Sequence, residues 1–179
     1  MYMLYALLFI LALTVSIGSP AKREAERVHG ESEAVALQLA AWHRAALDKC
    51  LKEGCGNGRV APTDVMRYLP QHIAARINSQ WFVAYHDASG RYVASYLSGT
   101  FQSQQNAWRS LGSVAAALWK SGMDGHTNAA GTWNGTSIEP MRSYVAPGLG
   151  GTLPGINLPA GAFPGFPIPT GSPVIATRL

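Results

Sequence analysis

"QWFVAYHDASGRYVASYLSG", residues 80–99, carries the clearest folding signal in the chain. Two runs rich in Val, Tyr, Phe and Trp flank Asp87-Ala88-Ser89-Gly90. Such side chains suit a pleated surface, and Asp and Gly suit a tight reversal. The spacing predicts an antiparallel hairpin over 81–86 and 91–98. Alternation puts Trp81, Val83 and Tyr85 on one face and Phe82, Ala84 and His86 on the other. His86 and Asp87 form a nominal acid–base pair. Adjacent strand residues point to opposite faces, so the pair reads as turn chemistry and not catalysis.

Helices are expected on either side. Downstream, Thr100 can cap a helix that Gly122 ends, with Phe101, Trp108, Leu111, Ala115, Leu118 and Trp119 as its apolar stripe. Trp108 and Trp119 read most simply as core residues packed on the hairpin, and otherwise as a docking surface for a partner helix. Upstream, Pro62 and Pro70 bound a short helix, and 71–77 offers another turn. Before those, 21–53 reads as one long amphipathic helix of good helix formers. Val35, Leu39, Trp42 and Ala46 make its apolar stripe, and Leu47 and Leu51 continue beside it. This face packs on the domain or pairs with a partner helix. His43 falls at the stripe's edge and reads as a boundary residue, because no carboxylate or second His stands at helical spacing to complete a site.

The two cysteines, Cys50 and Cys55, lie in "DKCLKEGCGNGR", where Gly54, Gly56 and Gly58 signal a helix end and a turn. A disulfide here would pin the last helical turn to the departing loop and require an oxidising compartment such as the bacterial periplasm. Two free thiols are the other reading. Zinc would need two more ligands nearby, and Cys-x-x-Cys redox spacing is absent.

Beyond residue 122 the pattern turns short and β-like. "AAGTWNGTSIEPMRSYV" predicts two strands around Asn134-Gly135, a strong hairpin dipeptide. From Val145 to Pro173 Gly and Pro dominate, which excludes helix and regular ladder. "SPVIATRL" then returns as a closing edge strand.

At the other end, "MYMLYALLFILALTVSIG" is free of charged side chains over residues 1–18. At ~1.5 Å per residue it reaches roughly 27 Å, just enough to cross a bilayer core. It lacks the positively charged n-region of a secretory signal, although small residues near Gly18 and Ser19 suit cleavage. Lys22, Arg23 and Arg27 follow and by themselves favour a cytoplasmic C-terminal side.

The chain has 179 residues, about one domain, and its 13% charged residues are few for a globular protein. Its net charge of +4 is scattered, without a basic cluster or aromatic interleaving, so nucleic acid is not an expected partner. Phosphate-binding, dinucleotide, G-x-S-x-G and H-E-x-x-H patterns are all absent. Outside the first helix the acids are mainly Asp64, Asp87, Asp124 and Glu139, too few to suggest a carboxylate pair. No catalytic residue, cofactor or metal is expected.

An N-terminal span, a long helix and a small α+β head is also the layout of type IV pilins. Their leader ending in Gly and their Glu at the fifth position of the mature helix have no counterpart here, where residue 5 is Tyr5. "AVALQLAAWHRAALDKC" (34–50), followed by "GCGNGRVAPTD" (54–64) and "YLP" (68–70), instead resembles the PilM family of type IVb, or conjugative thin-pilus, operons. Family members carry an uncleaved N-terminal span, a Trp-His pair shortly before a Cys, and a β-rich periplasmic part ending near "GSPV" (171–174 here). The likeness covers the first seventy residues best, and 145–170 looks like an addition.

It implies a non-enzymatic inner-membrane component of the pilus assembly apparatus, single-pass, with its soluble part in the periplasm. Its partners would be other membrane proteins of the apparatus or pilins, together with inner-membrane lipid. The expected class is α+β: an N-terminal transmembrane helix continuing into a long helix, then a small antiparallel-sheet domain packed with helices. The expected divisions are the anchor 1–18, the helix 21–53, the head 54–144, and a Gly/Pro-rich segment 145–179 with a final edge strand. Alternatives are a minor pilin-like filament subunit and a secreted small binding module whose signal peptide is removed.

Overall fold

A computed structural model describes residues 20–88, 91–104, 111, 114–118, 128–135, 137–139, 156–157 and 168–179. The chain divides into two units, Met1–Glu31 and Ser32–Leu179. Of the first, only the opening turns of helix α1 (Pro20–Glu53) are described. Pro20 starts the helix, where its fixed φ fits and its missing N–H costs nothing. An exposed Arg27–Glu31 pair at 2.7 Å bridges one turn. No helix among the described residues is long and apolar enough to cross a membrane. The anchor expected at 1–18 lies outside the described residues.

The second unit is α+β, an antiparallel sheet packed with helices. Within it α1 buries Ala36, Leu39, Trp42, His43, Ala46 and Cys50. These recur at three- and four-residue intervals and make one continuous stripe. Val35 is only partly buried, and Leu51 is 67% exposed. Leu51 follows Cys50 by one residue, a rotation of about 100° that carries it off the stripe. Gly54 ends the helix at φ +74°, a left-handed conformation that a Cβ would strain.

Seven strands form the sheet among the described residues: β1 (Gly58–Arg59), β2 (Phe82–Asp87), β3 (Tyr92–Leu97), β4 (Asn128–Trp133), β5 (Ser137–Glu139), β6 (Ile156–Asn157) and β7 (Pro173–Arg178). Their spatial order is β1-β2-β3-β7-β4-β5-β6, with every pairing antiparallel. The hairpin predicted from residues 80–99 is present, shifted by about one residue, with Val83 opposite Tyr96 and Asp87 opposite Tyr92. The Asn134-Gly135 hairpin joins β4 to β5, with Gly135 at φ +105°.

The C-terminal strand corrects an expectation. β7 is not an edge: it lies between β3 and β4 and pairs with both. Its proline stands at the first position of the strand, where a missing N–H is tolerated, and Val174, Ile175 and Ala176 that follow are almost wholly buried.

Both faces of the sheet are covered. One packs Phe82, Ala84, Val93, Leu97 and Ile175 against Leu39, Trp42 and Ala46 of α1 and Val65 of α2 (Pro62–Tyr68). Trp42 stacks on Phe82 with centroids 5.8 Å apart. Its indole N–H has no hydrogen-bond partner among the described residues, a cost of about 1–3 kcal/mol that the ring's burial must outweigh. The other face gathers Val83, Tyr85, Ala94, Tyr96, Val174 and Ala176 with Ile138 and Ile168.

Trp81 does not share the Val83 and Tyr85 face. It ends a 3₁₀ turn (Ser79–Trp81) whose first amide group is held by Asn78: the Asn78 side chain accepts from Gln80 N–H. The turn breaks the alternation, so Trp81 packs beside the helix-side core, edge-on to Phe101 at 5.3 Å. α3 (Gln71–Ala74) and α4 (Gly99–Gln104) complete the described helices with 114–118.

Candidate functional site

The stripe residue that sequence reasoning put at the boundary is instead central. His43 is 1% exposed, with Nδ1 3.0 Å from Ser95 Oγ on β3 and Nε2 2.7 Å from Thr177 Oγ1 on β7. Thr177 pairs across the ladder with Val93, two residues from Ser95, so both hydroxyls present on one face beneath α1. One ring nitrogen donates and the other accepts, because burial pushes the imidazole pKa down to about 3 and holds it neutral. The ring fastens helix to sheet. Both its nitrogens are occupied.

Cys50 and Cys55 are joined by a disulfide with Cα atoms 4.7 Å apart. Around it, Lys49 Nζ donates to Gly54 O at 2.8 Å, and Tyr68 Oη donates to Glu53 Oε1 at 2.7 Å. The Tyr68 hydrogen bond, aided by Lys49, lowers the Glu53 pKa, and the same bond to Glu53 raises that of Tyr68. The clip shapes the loop that delivers β1. Asn57 Oδ1 accepts from Ala88 N–H at 3.1 Å, His86 Nδ1–H donates to Gly56 O at 3.1 Å, and Val60 N–H donates to Ala84 O at 2.9 Å.

Beside that strand opens a cleft of about 520 Å³, lined by Arg59, Gln80, Val83, Tyr96, Ser98, Gly99, Thr100 and Pro169. Its floor is the cross-strand pair Val83–Tyr96. Register puts Arg59 opposite Tyr85, on the same face. Ser98 Oγ donates to Gln80 O at 2.5 Å and accepts from Phe101 N–H at 3.4 Å, which ties the start of α4 to the 3₁₀ turn. Burial raises the Tyr96 pKa, and the nearby Arg59 charge opposes that rise.

None of these cleft residues stood out in the sequence. They come from β1, the 3₁₀ turn, β2, β3 with α4, and the turn before β7, and no spacing rule links those segments. Of the residues expected to form a packing or partner surface, Leu39 and Trp42 are in the core and Val35 is at its margin. Trp108 and Trp119 lie outside the described residues. Among the described residues no group of His, Cys, Asp and Glu is placed to hold a metal ion. No protein-family model, no curated protein and no solved structure matches this chain.

Proposed function

We propose that this chain is a non-enzymatic, inner-membrane component of a type IVb pilus assembly apparatus of the PilM kind, with its α+β head in the periplasm. The observation that carries the reading is where the residues of that resemblance sit. Trp42 and His43 fasten α1 to the sheet, and Cys50 with Cys55 closes the end of the same helix. Residues used this way specify a scaffold, which suits a protein that works by being held in place. The disulfide supports an oxidising compartment.

In this reading residues 2–18 anchor the head. Confinement to a plane raises its effective concentration toward other anchored subunits without any new contact. Expression of the full chain in a strain deleted for its gene is expected to restore thin-pilus assembly. A chain lacking residues 2–18 is expected to leave the membrane fraction and to fail in that restoration. Piliation by the truncated chain would sink the anchored reading. Recovery of the protein in sheared filaments would replace it with a minor pilin. A mature N-terminus near Ser19 or Lys22 would replace it with a secreted module.

A further inference from the structure

We infer that the cleft beside Arg59 is a binding site for a carboxylate carried on a small amide-bearing group, of the size of one or two amino-acid residues. The inference does not depend on the pilus assignment. Arg59 lies on the short edge strand β1, exposed, and among the described residues its side chain makes no ion pair and no hydrogen bond. Among the described residues no carboxylate lines the cleft. Among the described residues the site therefore carries one positive charge with no carboxylate beside it, in a lining that mixes Gln80, Ser98 and Thr100 with Val83, Tyr96 and Pro169.

Charge count and shape select the ligand. A guanidinium offers a planar fork of N–H donors that fits a carboxylate with two parallel bonds. A phosphate dianion would call for a second cation or a cradle of backbone N–H groups, and among the described residues the lining supplies no other Lys, Arg or His. Ser98 does not serve as a donor, because its proton is given to Gln80 O. Its part is to hold the rim. Val83 and Tyr96 are buried, and the accessible lining is mostly polar, with Gln80, Ser98 and Thr100 beside Pro169, so the group that bears the carboxylate needs a polar function of its own such as an amide. A volume of about 520 Å³ suits a ligand of one or two amino-acid residues.

The geometry is also held from several sides. β2 fixes Arg59 through the β1 ladder, and the Cys50–Cys55 clip fixes the loop that feeds β1. Pro169 is placed by the turn in which Ser172 N–H donates to Pro169 O at 3.0 Å. The ladder and the covalent clip fix the backbone that carries the guanidinium, while the exposed side chain orders on binding.

The test is titration of the detergent-solubilised full chain with four probes, read by calorimetry and ligand-observed NMR. The probes are N-acetyl-leucine, a tetrapeptide ending in a free-carboxylate Leu, the same tetrapeptide as its C-terminal amide, and inorganic phosphate. Saturable binding of at least one free carboxylate is expected, with the amide at least tenfold weaker. Tighter binding of N-acetyl-leucine points to a free solute, and tighter binding of the peptide points to a partner's C-terminus; either supports the carboxylate site.

Arg59→Gln is expected to lose at least tenfold in affinity, and Arg59→Lys to lose less. Both variants should melt like the parent, since the side chain is exposed. A Tyr96→Phe variant probes the floor separately and should leave the preference for carboxylate over amide intact. The inference is overturned by equal binding of acid and amide, by unchanged affinity in Arg59→Gln, by tighter binding of phosphate, or by no saturable carboxylate binding.

Discussion

His43 shows how one polar residue comes to sit in a core. It lies four residues after Leu39 and three before Ala46, inside the stripe by spacing. Its polarity made it read as a boundary residue, since a buried imidazole needs partners that the sequence around it does not show. Those partners, Ser95 and Thr177, lie far along the chain and meet only because β3 pairs with β7. The consequence is a pH dependence with a definite sign. The folded pKa is depressed from 6.5 to about 3, so between those values the unfolded chain binds a proton that the folded one does not. This contribution to stability is complete above pH 6.5 and falls as the pH drops. Moving from pH 7.5 to pH 5 is expected to remove about 2 kcal/mol through His43, at 1.36 kcal/mol per pKa unit. His43→Gln keeps hydrogen-bonding capacity without a titrating ring, and urea denaturation of that variant should show a shallower pH dependence by that amount. An identical dependence in parent and variant would remove His43 as its source.

At the scale of elements, patterning was a good guide wherever a period was uninterrupted. Helix α1 was expected over 21–53 and runs Pro20–Glu53; the hairpin and the Asn134-Gly135 turn also formed where composition placed them. The strand alternation failed at Trp81, where a 3₁₀ turn interrupts it. The Cys50–Cys55 bridge links two elements, since the short loop it closes leads straight into β1. Reduction is expected to lower stability by about 2 kcal/mol, the loop-entropy value for so short a ring. It should also speed amide exchange at Val60, whose N–H donates to Ala84 O. Denaturation with and without reductant, together with hydrogen exchange, tests both. Unchanged exchange at Val60 would show that β1 stands without the clip.

For the molecule as a whole, the decisive feature is that the last strand enters the middle of the sheet. β7 supplies Val174, Ile175 and Ala176, which divide between the two cores. Without it β3 and β4 have no partner in common, and Thr177 is lost from His43. A chain ending at Gly171 is therefore expected to show no cooperative unfolding transition, whereas the full chain shows one; calorimetry distinguishes them. Cooperative folding of the shortened chain would mean that β3 and β4 can pair directly.

What the sequence determined by itself was local. Periods of 3.6 and 2 specify helix and strand through contacts a few residues apart, and the glycines at 54 and 135 mark reversals through φ alone. The class α+β follows from those signals, whereas the cysteine spacing left a clip and two free thiols open until the structure joined them. The strand order, the burial of His43 and the cleft around Arg59 were decided by the tertiary structure. Each depends on pairing between segments distant in the chain, and any of several antiparallel orders would bury the same alternating residues. Only the packed sheet selects among them, because only there do Ser95, Thr177 and the stripe of α1 meet.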